Sequence, residues 1–103
     1  MSGFALHPEA YDDLDEIRAY IAEDSPDAAD RMVNEIFGRF RQLAQSPDQG
    51  FRRPNYTPLP LRFITVRDYL IAYAPDKNPL WVVAVIHGRR NPRAIAAILR
   101  GRE

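Results

Sequence analysis

Residues 80–99, LWVVAVIHGRRNPRAIAAIL, decide the fold. Leu80 to Ile86 is an unbroken apolar run bounded by turn residues, the pattern of a strand buried on both faces and therefore interior to its sheet. It stops at the basic corner His87-Gly88-Arg89-Arg90. Asn91 then supplies an N-cap oxygen, and Pro92 fits the first helical position, where its missing N–H costs nothing. A short last helix follows, with Ile95, Ile98 and Leu99 as its apolar stripe.

An interior strand needs neighbours, and the chain upstream provides them. Leu61, Phe63 and Thr65 alternate with Arg62 and Ile64, and Tyr69, Ile71 and Tyr73 alternate with Leu70, Ala72 and Ala74. Arg67-Asp68 reads as the turn between these two strands, and PDKNP at 75–79 as a hairpin loop before the third. Turns this short make the meander antiparallel. Shared parity places Tyr69 and Tyr73 on one face, as core or groove lining. The preceding segment SPDQGFRRPNYTPLP, residues 46–60, carries four prolines and can be neither helix nor central strand. It is either functional or a long crossover.

Two helices precede it. Pro8 opens the first, acidic residues crowd its N-terminal half in favour of the helix dipole, and Leu14, Ile17 and Ile21 with Ala10 form its stripe to about Asp24. Ser25-Pro26 starts the second, whose Ala29, Met32, Val33, Ile36, Phe37, Phe40, Leu43 and Ala44 recur by threes and fours until Pro47. So short a join folds the pair into an antiparallel hairpin. Phe4 and Leu6 make a short first strand. The expectation is one α+β domain over residues 1–103, β-α-α-β-β-β(α), with the helix hairpin packed on one face of an antiparallel sheet and a short C-terminal helix.

With 103 residues, 46% hydrophobic and 27% charged, the chain has the composition of an ordinary soluble domain. Its longest apolar run is far below the ~20 residues a membrane span needs. MSGFALHPEA lacks the basic and apolar regions of a secretion signal, so a cytoplasmic location is expected, with no membrane partner. The absence of cysteine excludes thiol nucleophiles, disulfides and cysteine-ligated metals. His7 and His87 have no ligand spacing, so neither a metal nor a cofactor is expected.

A net charge of zero conceals a division: residues 1–51 hold four basic residues against eleven acidic, and residues 52–103 hold ten against three. Either the second half meets something anionic or the halves attract each other. Thirteen of the fourteen basic residues are arginine, whose planar fork suits carboxylate and phosphate.

Arg62, Arg67, Arg89, Arg90, Arg93, His87, Tyr69 and Tyr73 all fall near strands or their ends. Such a group could cleave RNA, arginines neutralising phosphate while histidine or tyrosine moves a proton. A lone histidine at a strand end is more often a hydrogen-bonded corner residue. Asp12, Asp13, Asp15 and Glu16 read as a solvated helix face. No phosphate-binding glycine loop or Gly-x-Ser-x-Gly is present.

These residues carry a family likeness. RDYLIAYAPDKNPLWVVAVIHGRRNPRAIAAIL, residues 67–99, resembles the signature end of the ParE toxins within the RelE/ParE superfamily. VIHGRRN is its most specific piece, and GFRRP at 50–54 and LRFITVRDY are similar upstream. The resemblance implies a toxin neutralised by a ParD-like antitoxin in a hetero-oligomeric complex, with DNA contacted only through the antitoxin. It implies an antitoxin groove and basic surface at Leu14, Ile17, Ile21, Met32, Ile36, Phe40, Arg52, Arg53, Arg62, Arg67, Tyr69 and Tyr73. His87, Arg89, Arg90 and Arg93 are expected to meet the target. RelE-type ribonucleases place an arginine and a tyrosine where this chain has Leu70 and Ala96, and only Arg90 matches. The resemblance therefore implies a non-catalytic inhibitor of DNA gyrase. The alternatives are a ribosome-dependent mRNA endoribonuclease and a non-toxic regulator that binds the antitoxin.

Overall fold

The computed structural model describes residues 3–103. Strand β1 (Phe4–Leu6) leads into α1 (Pro8–Ala22) and α2 (Pro26–Gln45). A 3₁₀ turn at Pro47–Gln49 follows, then β2 (Arg62–Val66), β3 (Tyr69–Ala74), β4 (Leu80–His87) and α3 (Pro92–Arg100). The caps are those the sequence specifies. Ser25 Oγ accepts from the Ala28 N–H at 3.1 Å and Asn91 Oδ1 from the Ala94 N–H at 2.9 Å, with Pro26 and Pro92 just inside each helix.

The strand order is β1-β4-β3-β2, so β4 is interior as its two apolar faces require. The meander β2-β3-β4 is antiparallel, but β1 pairs with β4 in parallel, Phe4 opposite Leu80 and Leu6 opposite Val82. The sheet as a whole is mixed. A tight turn forces its two strands antiparallel, whereas β1 is separated from β4 by the whole hairpin and two strands, so no turn dictates its direction.

Each face of the sheet has its own apolar layer. Ala10, Leu14 and Ile17 of α1 and Met32, Ile36, Phe40 and Leu43 of α2 close over Tyr69, Ile71, Tyr73, Val82 and Val85. On the other face α3 lays Ile95 and Leu99 on Leu70, Ala72, Val83, Ala84 and Ile86, beside Leu61 and Phe63. The helices thus do not share one face, because β4 presents apolar side chains both ways and the second set needs a cover.

Alternation along β4 breaks once. Ala72 pairs with Ala84 but Tyr73 pairs with Val82, leaving Val83 as the extra residue of a β-bulge. The proline-rich segment is tied to the sheet by a backbone bridge between Phe51 and Phe63 and by a buried phenol. Tyr73 donates to the Pro47 carbonyl at 2.7 Å and accepts from the Gly50 N–H at 2.9 Å. A Cβ on residue 50 would stand 2.6 Å from that hydroxyl and 2.8 Å from the Phe63 carbonyl oxygen, so only glycine fits there.

Candidate functional site

The corner after β4 is built by short local bonds. The Gly88 N–H donates to the Asp68 carbonyl at 2.8 Å and the Arg90 N–H to the His87 carbonyl at 3.2 Å. A Cβ on Gly88 would lie 3.3 Å from that same Asp68 oxygen, a tight approach that favours glycine. The Arg89 N–H donates to His87 Nδ1 at 3.1 Å, so the neutral ring carries its proton on Nε2. The imidazole stands edge-on to the Tyr69 ring at a centroid distance of 5.4 Å. His87 is thus a hydrogen-bonded corner residue with one ring nitrogen left to act.

Beneath the corner lies a cavity of about 270 Å³. Its floor is Ile17, Val85, Ile86 and Ile98, and its rim carries Tyr69, His87 and Arg90 on one side with Glu16 and Tyr20 of α1 on the other. The Tyr69 hydroxyl meets no partner among the described residues and reaches solvent. Burial first, then the nearby Asp68 and Tyr20 charges, push this phenol's pKa up. The four corner residues do not converge. His87 and Arg90 line this cavity, while Arg93 lines a separate cleft with Asn55, Ala96 and Arg100. Arg89 is exposed and lines neither.

The remaining expected residues divide into core, internal ion pairs and free surface. Leu14, Ile17, Ile36, Phe40 and Tyr73 fill the layer between hairpin and sheet, and Ile17 also lines the cavity floor. Ile21 and the edge of Met32 line a shallow depression with Arg31, Glu35 and Arg67. Arg67 Nε pairs with Glu35 at 3.1 Å. Arg62 donates to the Gly50 carbonyl at 2.7 Å and approaches the Asp48 carboxylate at 4.0 Å. Arg52 and Arg53 are exposed and meet no carboxylate among the described residues.

Asp13 is the correction. Read as part of a solvated face, it is only 13% exposed at its side chain and forms a bidentate pair with Arg102, at 2.5 and 2.8 Å. Its Oδ2 also accepts from the Val85 N–H at 2.9 Å. Arg102 donates further to Glu9 at 3.1 Å and to the Val83 carbonyl at 3.1 Å. The bonded Asp13 carboxylate raises the guanidinium's pKa above its ordinary value. The cause lies in the sheet: β1 ends opposite Val82, so beyond that point the edge of β4 has no strand on it. Asp13 and Arg102 satisfy the groups left over at the bulge. The missed signal was position, since Asp13 lies three residues from Ala10 and four from Ile17, at the border of the buried stripe.

A helix hairpin and a C-terminal helix on opposite faces of a four-stranded mixed sheet, with a basic corner closing the central strand, define a small α+β domain. The chain belongs to the ParE toxin family: residues 4–92 match the family model described as the ParE toxin of the type II toxin–antitoxin system parDE. It is 31% identical to Toxin ParE2 of Mycobacterium tuberculosis over 102 residues, covering 94% of this chain and 91% of that protein. Toxin RelE3 of Caulobacter vibrioides is 40% identical over 53 residues, 52% of this chain and 58% of that protein. Among solved structures, the chromosomal ParDE system from P. aeruginosa contains a chain that superposes with a TM-score of 0.69 at 22% identity, over 84% of this chain and 96% of that one.

Proposed function

We propose that this ParE-family toxin blocks replication by binding DNA gyrase in the cytoplasm, and that a ParD-type antitoxin holds it silent until the pair is separated. The observation that carries a binding rather than a catalytic mode is the content of the corner. His87 Nε2, Arg90 and the Tyr69 hydroxyl surround the cavity, but Leu70 is buried under α3 and Ala96 has no proton to move. Residues that cleave as a unit do not work in fragments. A ParD-type partner is supported by family membership and by the shared fold with a chain of a ParDE system. The unpaired arginines suit a partner with an acidic segment.

Pulse-labelling of DNA, RNA and protein synthesis during the first minutes after induction, without antitoxin, tests this reading. DNA synthesis is expected to fall first, and purified chain is expected to inhibit gyrase supercoiling. An earlier fall in protein synthesis would instead identify a ribonuclease. Charge reversal at Arg89 and Arg90 should weaken toxicity more than the same change at Arg39 and Arg41; equal effects would remove the corner from the account.

A further inference from the structure

We propose that the open half of the β4 edge, between α1 and α3, takes an extended segment of a partner protein as a short added strand, parallel to β4 and carrying an acidic residue just after the bonded one. The backbone bonds of β4 locate the place. The Val85 N–H goes to Asp13 at 2.9 Å, and the Gly88 N–H goes to the Asp68 carbonyl, next to β3, at 2.8 Å. Main-chain groups alternate along a strand, so those of Ile86 and Gly88 face β3 and those of Val85 and His87 face the open edge. β1 stops opposite Val82. Beyond it, Arg102 takes the Val83 carbonyl, Asp13 the Val85 N–H, and the Arg90 N–H the His87 carbonyl. Two groups are left over. The Val85 carbonyl and the His87 N–H meet no partner among the described residues.

A carbonyl and an N–H two residues apart on one edge are the complement of a single residue on a parallel strand. Opposite Ile86, its N–H would donate to Val85 and its carbonyl would accept from His87. An antiparallel residue would need both groups of Val85 or both of His87, and one of each is already taken. The added strand thus continues the direction of β1, which also runs parallel to β4. The cavity of about 270 Å³ lies at this edge, because it is lined from both sides of the sheet. Ile17, Tyr69 and Val85 belong to the layer under the hairpin, and Ile86 and Ile98 to the layer under α3. Alternate side chains of an added strand would therefore find apolar surface on either side.

Charge sets the rest of the segment. A strand parallel to β4 runs toward the corner, where Arg90 lines the same cavity and meets no carboxylate among the described residues. An acidic side chain after the bonded residue meets that guanidinium. Glu16 stands on the opposite rim and only accepts, so it suits the outward N–H of that acidic residue. This inference rests on the corner being a binding surface, and does not require the partner to be gyrase.

The probe is the peptide acetyl-Ala-Val-Val-Asp-Asp-amide, titrated into isotope-labelled chain at about 150 mM salt and followed by amide NMR. The Ile86 and His87 amides are expected to shift most, the His87 amide to exchange more slowly, and the Kd to be about 1 mM or tighter. N-methylating the second valine removes the donor to Val85 and should weaken binding about tenfold. N-methylating the first, whose N–H points away from β4, should cost much less. Arg90→Glu should weaken binding up to about fivefold, and Arg41→Glu on α2 should not change it. No shift at His87 with about 5 mM peptide overturns the proposal. So does equal weakening by the two N-methyl groups, or equal binding of the peptide in reversed order. Concentration-dependent shifts of the same amides without peptide would make a second copy the occupant and overturn it too. Gyrase is absent throughout, so a chain that inhibits supercoiling yet leaves this edge empty keeps the gyrase reading and loses only this one.

Discussion

Tyr73 and Tyr69 alternate onto the same face of β3 and look equivalent in sequence, yet they do different work. Tyr73 is fully buried, and its hydroxyl is both donor and acceptor to the turn at 47–50. Tyr73→Phe would leave the Gly50 N–H and the Pro47 carbonyl without a partner, at about 1–3 kcal/mol. Tyr69→Phe removes a hydroxyl that reaches solvent and should shift the melting temperature little. Denaturant melts of the two variants check the contrast; equal losses would refute it. Burial is the leading cause raising both phenols above their ordinary pKa. The unfolded chain gives up these protons at about pH 10, before the folded protein does. Their contribution is therefore complete below about pH 10 and lost as pH rises through the raised folded values. A melting-temperature profile from pH 9 upward should fall, and Tyr73→Phe should flatten part of that fall. Parity along a strand fixes which face a tyrosine takes, but not what meets its hydroxyl, which depends on a loop twenty-odd residues away.

At the scale of elements, β4 shows what a sequence can and cannot specify. Two apolar faces required an interior strand with cover on both sides, and caps at Ser25 and Asn91 placed the helix starts. The direction of β1 was not legible, because no turn links it to β4. Nor was the third helix's side of the sheet, although the second apolar face of β4 required something there. The clamp was hidden for a different reason: Arg102 is paired to α1 from eighty-nine residues away. Removing either partner should be costly. Arg102→Ala or Asp13→Ala leaves the other charge largely buried, and about 3 kcal/mol is the expected loss from each. Those losses should be non-additive in a double-mutant cycle, with a coupling of about 1–3 kcal/mol. Amide exchange separates this clamp from a general loosening. In Asp13→Ala the Val85 amide should exchange faster while the Ile71 amide, in the middle of β3, keeps its relative protection. Equal acceleration at both would mean that Asp13 only supports the fold as a whole.

For the whole molecule, the charge division visible in the sequence is spent in part on the fold itself. Arg62, Arg67 and Arg102 spend their charge on Asp48, Glu35, Asp13 and Glu9, joining the basic half to the acidic one. Six arginines on and around α3 remain free among the described residues, while Asp12, Asp15, Glu16, Glu23, Asp24 and Asp27 stand exposed on or beside the hairpin. The molecule therefore carries separated patches of opposite sign under a net charge of zero and a pI near 6.7. Near-zero net charge removes the general repulsion that keeps proteins apart, and opposite patches then attract between copies. Such contacts are exposed, so a Debye length of about 8 Å at physiological salt weakens them strongly. The free chain at pH 7 should self-associate at about 20 mM salt and become monomeric by about 300 mM, as read by sedimentation velocity. Charge reversal at Arg93 and Arg100 should weaken the low-salt species by cutting the charge of one of the two complementary patches. Association that persists in high salt would point instead to an apolar contact, with Tyr11, Tyr20 and Phe51 as the first residues to alter.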